Sequence, residues 1–149
     1  MKKIVLILAL TLMCASLSAQ TSLQQAVAAG NKVYVEIVND QDHPLPADEV
    51  ADVIKYSVMA GEWQSVTSKE DADFILSIVG KKKMVFNSPR TWLTPSVLDK
   101  EGNVLWQGDV YKADATMGNG YRATNTAIKK MLKKGFGNNL FKKAGREVK

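Results

Sequence analysis

Residues 73–80, DFILSIVG, decide the fold, because no other stretch of the sequence predicts a strand as strongly. Apolar side chains alternate onto both of its sides, with Phe74, Leu76 and Ile78 on one face and Ile75 and Val79 on the other. A strand that is apolar on both faces is typical of the middle of a sheet. We therefore predict a sheet protein with this strand near its centre.

A strand and a helix precede this segment. Residues 32–38, KVYVEIV, are rich in β-branched and aromatic residues and predict the first strand. Pro46 suits the start of a helix over residues 47–60, whose apolar residues recur at helical spacing, and Gly61 is placed to end it. Residues 62–66 predict a short second strand.

A hairpin and a second helix follow. Residues 91–98 and 104–112 predict two strands joined by a turn that has Gly102 at its left-handed position. Pro95 in the first arm indicates either an edge strand or a bulge. The second helix is predicted to end at Gly135, and residues 136–149 are either a last helical turn docked on the body or a basic tail.

The order of these elements predicts an α+β two-layer sandwich. Its sheet is mixed, mostly antiparallel, with four or five strands and both helices on one face. A right-handed crossover makes the first strand parallel to one that follows the helix. The predicted divisions are a signal peptide over residues 1–19, a lead-in over 20–31, the α+β domain over 32–135 and a basic C-terminal tail over 136–149.

The amino-terminal residues predict export. Lys2 and Lys3 precede an apolar run over residues 4–12, and small residues follow, so we expect cleavage between Ala19 and Gln20. The protein is then periplasmic or secreted, with no transmembrane helix in the mature chain. A membrane anchor and a lipid anchor on Cys14 are the alternatives that this pattern favours less.

Loss of the signal peptide also limits the chemistry, because Cys14 is the only cysteine. The mature chain then has no disulfide, no cysteine nucleophile and no cysteine-bound zinc.

The charge is distributed unevenly. The net charge is +5, but residues 20–128 carry ten basic and fourteen acidic residues, whereas residues 129–149 carry eight basic and one acidic. The basic segment predicts a contact with an anionic partner, with a solvated helix face as the alternative. Its candidate contact residues are Lys129, Lys130, Lys133, Lys134, Lys142, Lys143 and Arg146. Nucleic acid is not expected as a partner in an exported protein.

Three further groups of residues each allow a functional and a structural interpretation. His43 lies in an acidic loop that is either a cation site or, as we favour, a solvated turn. Residues 117–122 form either an anion-binding loop or a flexible connection into the second helix. Lys81, Lys82 and Lys83 either bind anions or discourage pairing of the sheet edge with another molecule. Core packing is favoured over ligand stacking for the three tryptophans, Trp63, Trp92 and Trp106.

No pattern in the sequence predicts a catalytic constellation, a cofactor or a metal site. The only histidine is His43, and no Gly-x-Ser-x-Gly elbow is present. Paired carboxylates could still converge in space, because nothing in the sequence selects or excludes a pair among the 15 acidic residues.

Three segments together resemble a known type of domain. Residues 72–76 (ADFIL), 97–99 (VLD) and 102–106 (GNVLW), followed by a closing helix, resemble the amino-terminal domain of TolB-type periplasmic proteins. The resemblance covers about residues 32–134. It implies a role in envelope binding or assembly and carries over no catalytic residue.

These observations predict an exported, non-enzymatic envelope protein that is a binding or assembly module. Its partner, an envelope protein or an anionic surface, and its oligomeric state stay open. The contact is expected through an exposed sheet face or through the basic C-terminal segment. The alternatives are a carboxylate-dependent hydrolase and a peripheral binder of anionic membranes through the C-terminal helix.

Overall fold

The computed structural model describes residues 22–147, which form an α+β fold with a mixed sheet, and the predicted fold class is confirmed. The strands are β1 (Lys32–Asn39), β2 (Gln64–Ser65), β3 (Phe74–Val85), β4 (Ser88–Leu98), β5 (Val104–Gln107) and β6 (Tyr111–Asp114). The helices are α1 (Ala47–Gly61) and α2 (Ala123–Lys130), which continues as a π-helix over Met131–Phe141. A 3-10 turn spans Met117–Asn119, and residues 22–26 form a short helical turn. The predicted signal peptide and its cleavage site at Ala19 and Gln20 lie outside the described residues.

The sheet order is β2-β1-β3-β4-β5, and β6 also pairs with β4. β1 runs parallel to both β2 and β3, whereas all pairings of β4 are antiparallel. The predicted parallel first strand is therefore confirmed. The predicted single arm over residues 104–112 is divided into β5 and β6, which gives the sheet one strand more than the sequence predicted.

Pro95 lies in a central strand, opposite Ile78 of β3. Its carbonyl accepts a hydrogen bond from the Gly108 amide at 2.9 Å, on the side of β4 where β5 has ended and β6 has not begun. In an antiparallel strand the N and O of one residue face the same neighbour, so the missing proline N–H faces this interruption. The edge-strand interpretation is wrong, and an irregularity in the neighbouring strands explains the proline.

The helices pack on one face of the sheet and bury its core. Phe74, Leu76 and Ile78 of the predicted central strand are completely buried there. The lead-in contributes to the same core, because Leu23 and Val27 are also buried. Residues 22–27 are therefore part of the domain.

Gly61 does not supply the left-handed residue at the end of α1; Glu62 does, with φ 54°. Glycine is needed at position 61 because a Cβ there would lie 2.1 Å from the ring of Trp63. The indole NH of Trp63 donates to the Val27 carbonyl at 3.1 Å. The ring thus connects the lead-in to the end of α1.

The predicted end of the second helix at Gly135 is wrong. The chain continues as the π-helix, and Phe136, Leu140 and Phe141 are buried in the core. Glycine is needed at 135 because a Cβ there would lie 2.8 Å from the hydroxyl of Tyr111. The segment after Gly135 is therefore docked helix as far as Phe141, one of the two alternatives left open by the sequence.

β3 is longer than predicted and does not end at Gly80. It forms a hairpin with β4 that is paired as far as Val85 and Ser88, with Phe86 and Asn87 in the turn. Lys81, Lys82 and Lys83 therefore lie inside a strand.

Candidate functional site

The helices leave the second face of the sheet uncovered within residues 22–147. We call this surface the open face; side chains that point onto it are Tyr34, Glu36, Val38, Ser77, Val79, Lys81, Trp92, Thr94, Ser96 and Lys112. Val38, Val79 and Thr94 stand side by side on three adjacent strands, and Val38 and Val79 are 44% and 47% exposed. Val38 and Val79 thus adjoin each other on the surface, and contiguous exposed apolar residues are a feature of interaction sites.

A cavity of about 630 Å³ opens on this face, between the end of β1 and Trp92. Val38, Val79 and Trp92 supply its apolar wall. Asp40 and Lys81 form an ion pair at its rim, with 3.3 Å between Oδ2 and Nζ. Partial burial acts to raise the pKa of Asp40, but hydrogen bonds from Lys81 and nearby backbone amides outweigh it and lower the pKa below its usual value.

The three tryptophans divide between the two faces. Trp63 and Trp106 are buried on the helix side, where the Trp106 indole NH donates to Asn139 at 3.2 Å. The prediction of core packing is therefore confirmed for Trp63 and Trp106. Trp92 is half-buried on the open face, and the guanidinium carbon of Arg90 lies 5.8 Å from the centre of its ring. Its exposed part is available to a partner.

Six of the predicted contact residues are exposed lysines on the second helix, on its π-helical continuation and directly after it: Lys129, Lys130, Lys133, Lys134, Lys142 and Lys143. The buried residues Met131, Phe136 and Phe141 follow one another at five-residue intervals. This interval fits the wider turn of a π-helix and is longer than the roughly 3.6 residues of an α-helical turn. The winding therefore keeps the lysines together on the solvent side.

Arg146, the seventh predicted contact residue, is in a different environment. Its guanidinium donates to the carbonyls of Val27 at 2.8 Å and Gly61 at 3.1 Å, and its carbon lies 4.4 Å from the centre of the Phe141 ring. Desolvation lowers its pKa. Arg146 thus fastens the end of the chain to the body, and the exposed basic surface consists of the six lysines.

The lysines of β3 differ from one another. Lys81 pairs with Asp40, and Lys82 pairs with Glu49 at the start of α1. Lys83 is exposed and takes part in none of the ion pairs found among residues 22–147. Lys83 is therefore the member of this run that is free to contact an anion.

The acidic loop around His43 is a turn. The carboxylate of Asp40 accepts hydrogen bonds from the backbone amides of Asp42 and His43 at 3.1 and 3.0 Å. No group of three or more His, Cys, Asp or Glu residues suited to a metal occurs in the described part of the chain.

Residues 117–122 form an internally bonded connection. The 3-10 turn is closed by a reciprocal capping box between Thr116 and Asn119, and the Tyr121 amide donates to the Thr116 carbonyl at 2.8 Å. The Asn119 side-chain amide also donates to the Asp114 carbonyl at 2.7 Å. These amides are occupied within the loop, which favours a connection over an anion site.

A groove of about 390 Å³ at the opposite end of the sheet is lined by three acidic residues, Asp73, Asp99 and Glu101. The Asp99 carboxylate accepts from the Asn103 side chain and backbone, both at 2.8 Å, and these bonds lower its pKa. Asp73 accepts from the Lys32 amide at 2.8 Å. Asp73 and Asp99 are therefore both held by hydrogen bonds within the protein.

No described helix is long and apolar enough to cross a membrane.

The fold is similar to that of known proteins. No family model and no curated protein matches the chain. Among solved structures, the PelC dodecamer from Paraburkholderia phytofirmans matches with a TM-score of 0.54 and 16% identity, covering 83% of this chain and 93% of that one. The uncharacterized lipoprotein B from Nitrosomonas europaea matches with a TM-score of 0.51 and 11% identity, covering 83% and 95%. At these identities the similarity shows a shared α+β fold. The resemblance to the TolB amino-terminal domain stays a prediction.

Proposed function

We propose that this chain is an exported, non-enzymatic envelope protein that works as a binding or assembly module through its open face. The observation that carries the proposal is the row formed by Val38, Val79 and Thr94 beside the half-buried Trp92. The helices cover the other face of the sheet, so this face would be covered by a partner.

Two further observations support the proposal. The predicted signal peptide supports an envelope location, and one protein of the same fold is a lipoprotein. PelC, another protein of this fold, is a dodecamer. Assembly with further copies of this chain is therefore the first form of binding to test.

The test compares the mature chain, residues 20–149, with a variant that places a charge in the centre of the open face. Val79→Glu is suitable because this side chain is exposed, so the fold tolerates the change. Met59→Glu is the control, because Met59 is 63% exposed near the end of α1, away from the open face. We expect Val79→Glu to abolish self-association in native mass spectrometry, or recovery of a partner from envelope extract, and Met59→Glu to change neither.

Equal association of all three proteins would contradict the role of the open face. Mass spectrometry of the protein from cells tests export separately. We expect the amino terminus to be Gln20. A lipidated Cys14 at the amino terminus would show instead that the protein is anchored to a membrane.

A further inference from the structure

The β3–β4 hairpin extends past the end of β1, while β6 flanks β4 as far as Arg90. β1 ends opposite Gly80, but β3 and β4 stay paired as far as Val85 and Ser88. The hairpin therefore continues for five residues beyond β1, or about 16 Å at roughly 3.3 Å per residue. We call residues 84–88 the hairpin tip.

Phe86 lies at the tip, where neither its side-chain position nor its backbone conformation stabilises the fold. Its side chain is 99% exposed, and its φ is 49°, in the left-handed region. An aromatic residue is disfavoured in this conformation, and two-residue turns prefer asparagine and glycine. The next residue, Asn87 with φ 65°, follows that preference. Backbone strain without compensating contacts points to a function outside the fold.

Other exposed apolar side chains lie at the same end of the molecule. Met84 in the tip is 59% exposed. The chain after β6 is joined to β4 there, because the Ala115 amide donates to the Pro89 carbonyl at 2.8 Å, and it then exposes Met117 to 83%. The tip is therefore one of several apolar groups facing solvent at this end.

The charge of the hairpin selects the kind of partner. Residues 74–98 include Lys81, Lys82, Lys83 and Arg90 and no acidic residue. Asp40, Glu49 and Asp114 from other elements pair with three of these cations, all closer to the body than Phe86, and Lys83 is free. An apolar tip with cations behind it is typical of proteins that insert into the interface of anionic bilayers.

The size of the tip also favours a bilayer over a folded partner. The tip offers only a few apolar side chains, whereas a stable protein interface buries about 800 Å² on each partner. We propose that the hairpin tip inserts Phe86 and Met84 into the surface of anionic phospholipid membranes. This site is separate from the open face, so either can fail without the other.

The experiment measures sedimentation of residues 20–149 with vesicles of phosphatidylglycerol and phosphatidylcholine in equal parts, and with phosphatidylcholine alone. Phe86→Asn removes the aromatic ring and places a residue that tolerates the left-handed conformation, so this variant folds. Met84→Gln has a matched control in Met59→Gln, because Met59 is 63% exposed at the far end of α1.

We expect binding to anionic vesicles that weakens with added salt, and weaker binding to neutral ones. Phe86→Asn should lower the binding constant by about tenfold to a hundredfold, the factor expected when a buried aromatic side chain is lost. Met84→Gln should lower it by a smaller factor, and Met59→Gln should leave it unchanged.

Three results would overturn the proposal. The first is no binding by the unaltered chain, and the second is equal binding by Phe86→Asn. The third is loss of binding only when Lys142 and Lys143 are replaced by glutamine, which would assign the membrane contact to the C-terminal helix. If Phe86→Asn prevented partner recovery but left vesicle binding intact, the tip would be a protein contact.

Discussion

Phe136 offers a sharp test of the fold, because its segment was predicted from sequence to be a docked turn or a tail. Its side chain is completely buried, and its ring centre lies 6.0 Å from that of Trp63, 6.4 Å from that of Trp106 and 5.9 Å from that of Phe141. Replacing a buried phenylalanine by alanine costs about 3–5 kcal/mol. That is a large fraction of the roughly 5–15 kcal/mol by which a domain is stable.

We expect Phe136→Ala to lower the melting temperature by roughly 10–20 °C, at about 3–5 °C per kcal/mol for a domain of this size. Phe86→Ala is the matched control, because the same atoms are removed from a side chain that is 99% exposed. It should change the free energy of unfolding by less than about 0.5 kcal/mol. Thermal unfolding measures the melting temperatures and urea unfolding the free energies, both followed by far-ultraviolet circular dichroism. Equal midpoints for the two variants would refute the docked helix.

Two further predictions concern packing and pH. Gly135→Ala should destabilise the protein by about 1–3 kcal/mol, because the new methyl group meets Tyr111 at 2.8 Å. Gly118→Ala should be nearly neutral, because the nearest atom to the new methyl group is 3.8 Å away. Thermal unfolding of the two variants distinguishes these outcomes. Hydrogen bonds from Arg90 lower the pKa of Asp114, so the stability from this pair is present at neutral pH and is lost as pH falls below about 4. Melting temperatures at pH 7 and pH 3 should therefore differ less for Asp114→Asn than for the unaltered chain, and an equal difference would count against the pair.

The sheet was predictable because its signals are local. Residues 73–80 show their burial through composition alone, and the parallel first strand follows from the connection through a helix. The β4–β5 turn was equally clear, and Gly102 has φ 88° there. Each of these features depends on residues that are adjacent in the sequence.

The second helix was only partly predictable, because its period changes. Up to Lys130 the apolar spacing is α-helical, but Met131, Phe136 and Phe141 recur every five residues, which an α-helical template does not recognise. From local sequence alone, Gly135 is typical of a residue that ends a helix. Its actual requirement is the approach of Tyr111, a long-range contact that no local pattern encodes.

The open face was expected only in general terms. The alternation in β3 predicts that Val79 lies on the face opposite Phe74, but its adjacency to Val38 and Trp92 depends on register. The part of the β3–β4 hairpin beyond Gly80 is not predicted, because the predicted strand ends at that residue. Polar residues on both arms of a solvent-exposed hairpin give no apolar pattern.

The most direct measurement of the proposed function is site-specific photocrosslinking in intact cells. A photoreactive residue at position 79 samples the open face, and one at position 59 samples the exposed end of α1 as a control. The proposed function predicts a discrete crosslinked species in the envelope fraction from position 79 and none from position 59. Crosslinking from position 59 alone, or from neither position, would contradict the claim that the open face is the binding surface.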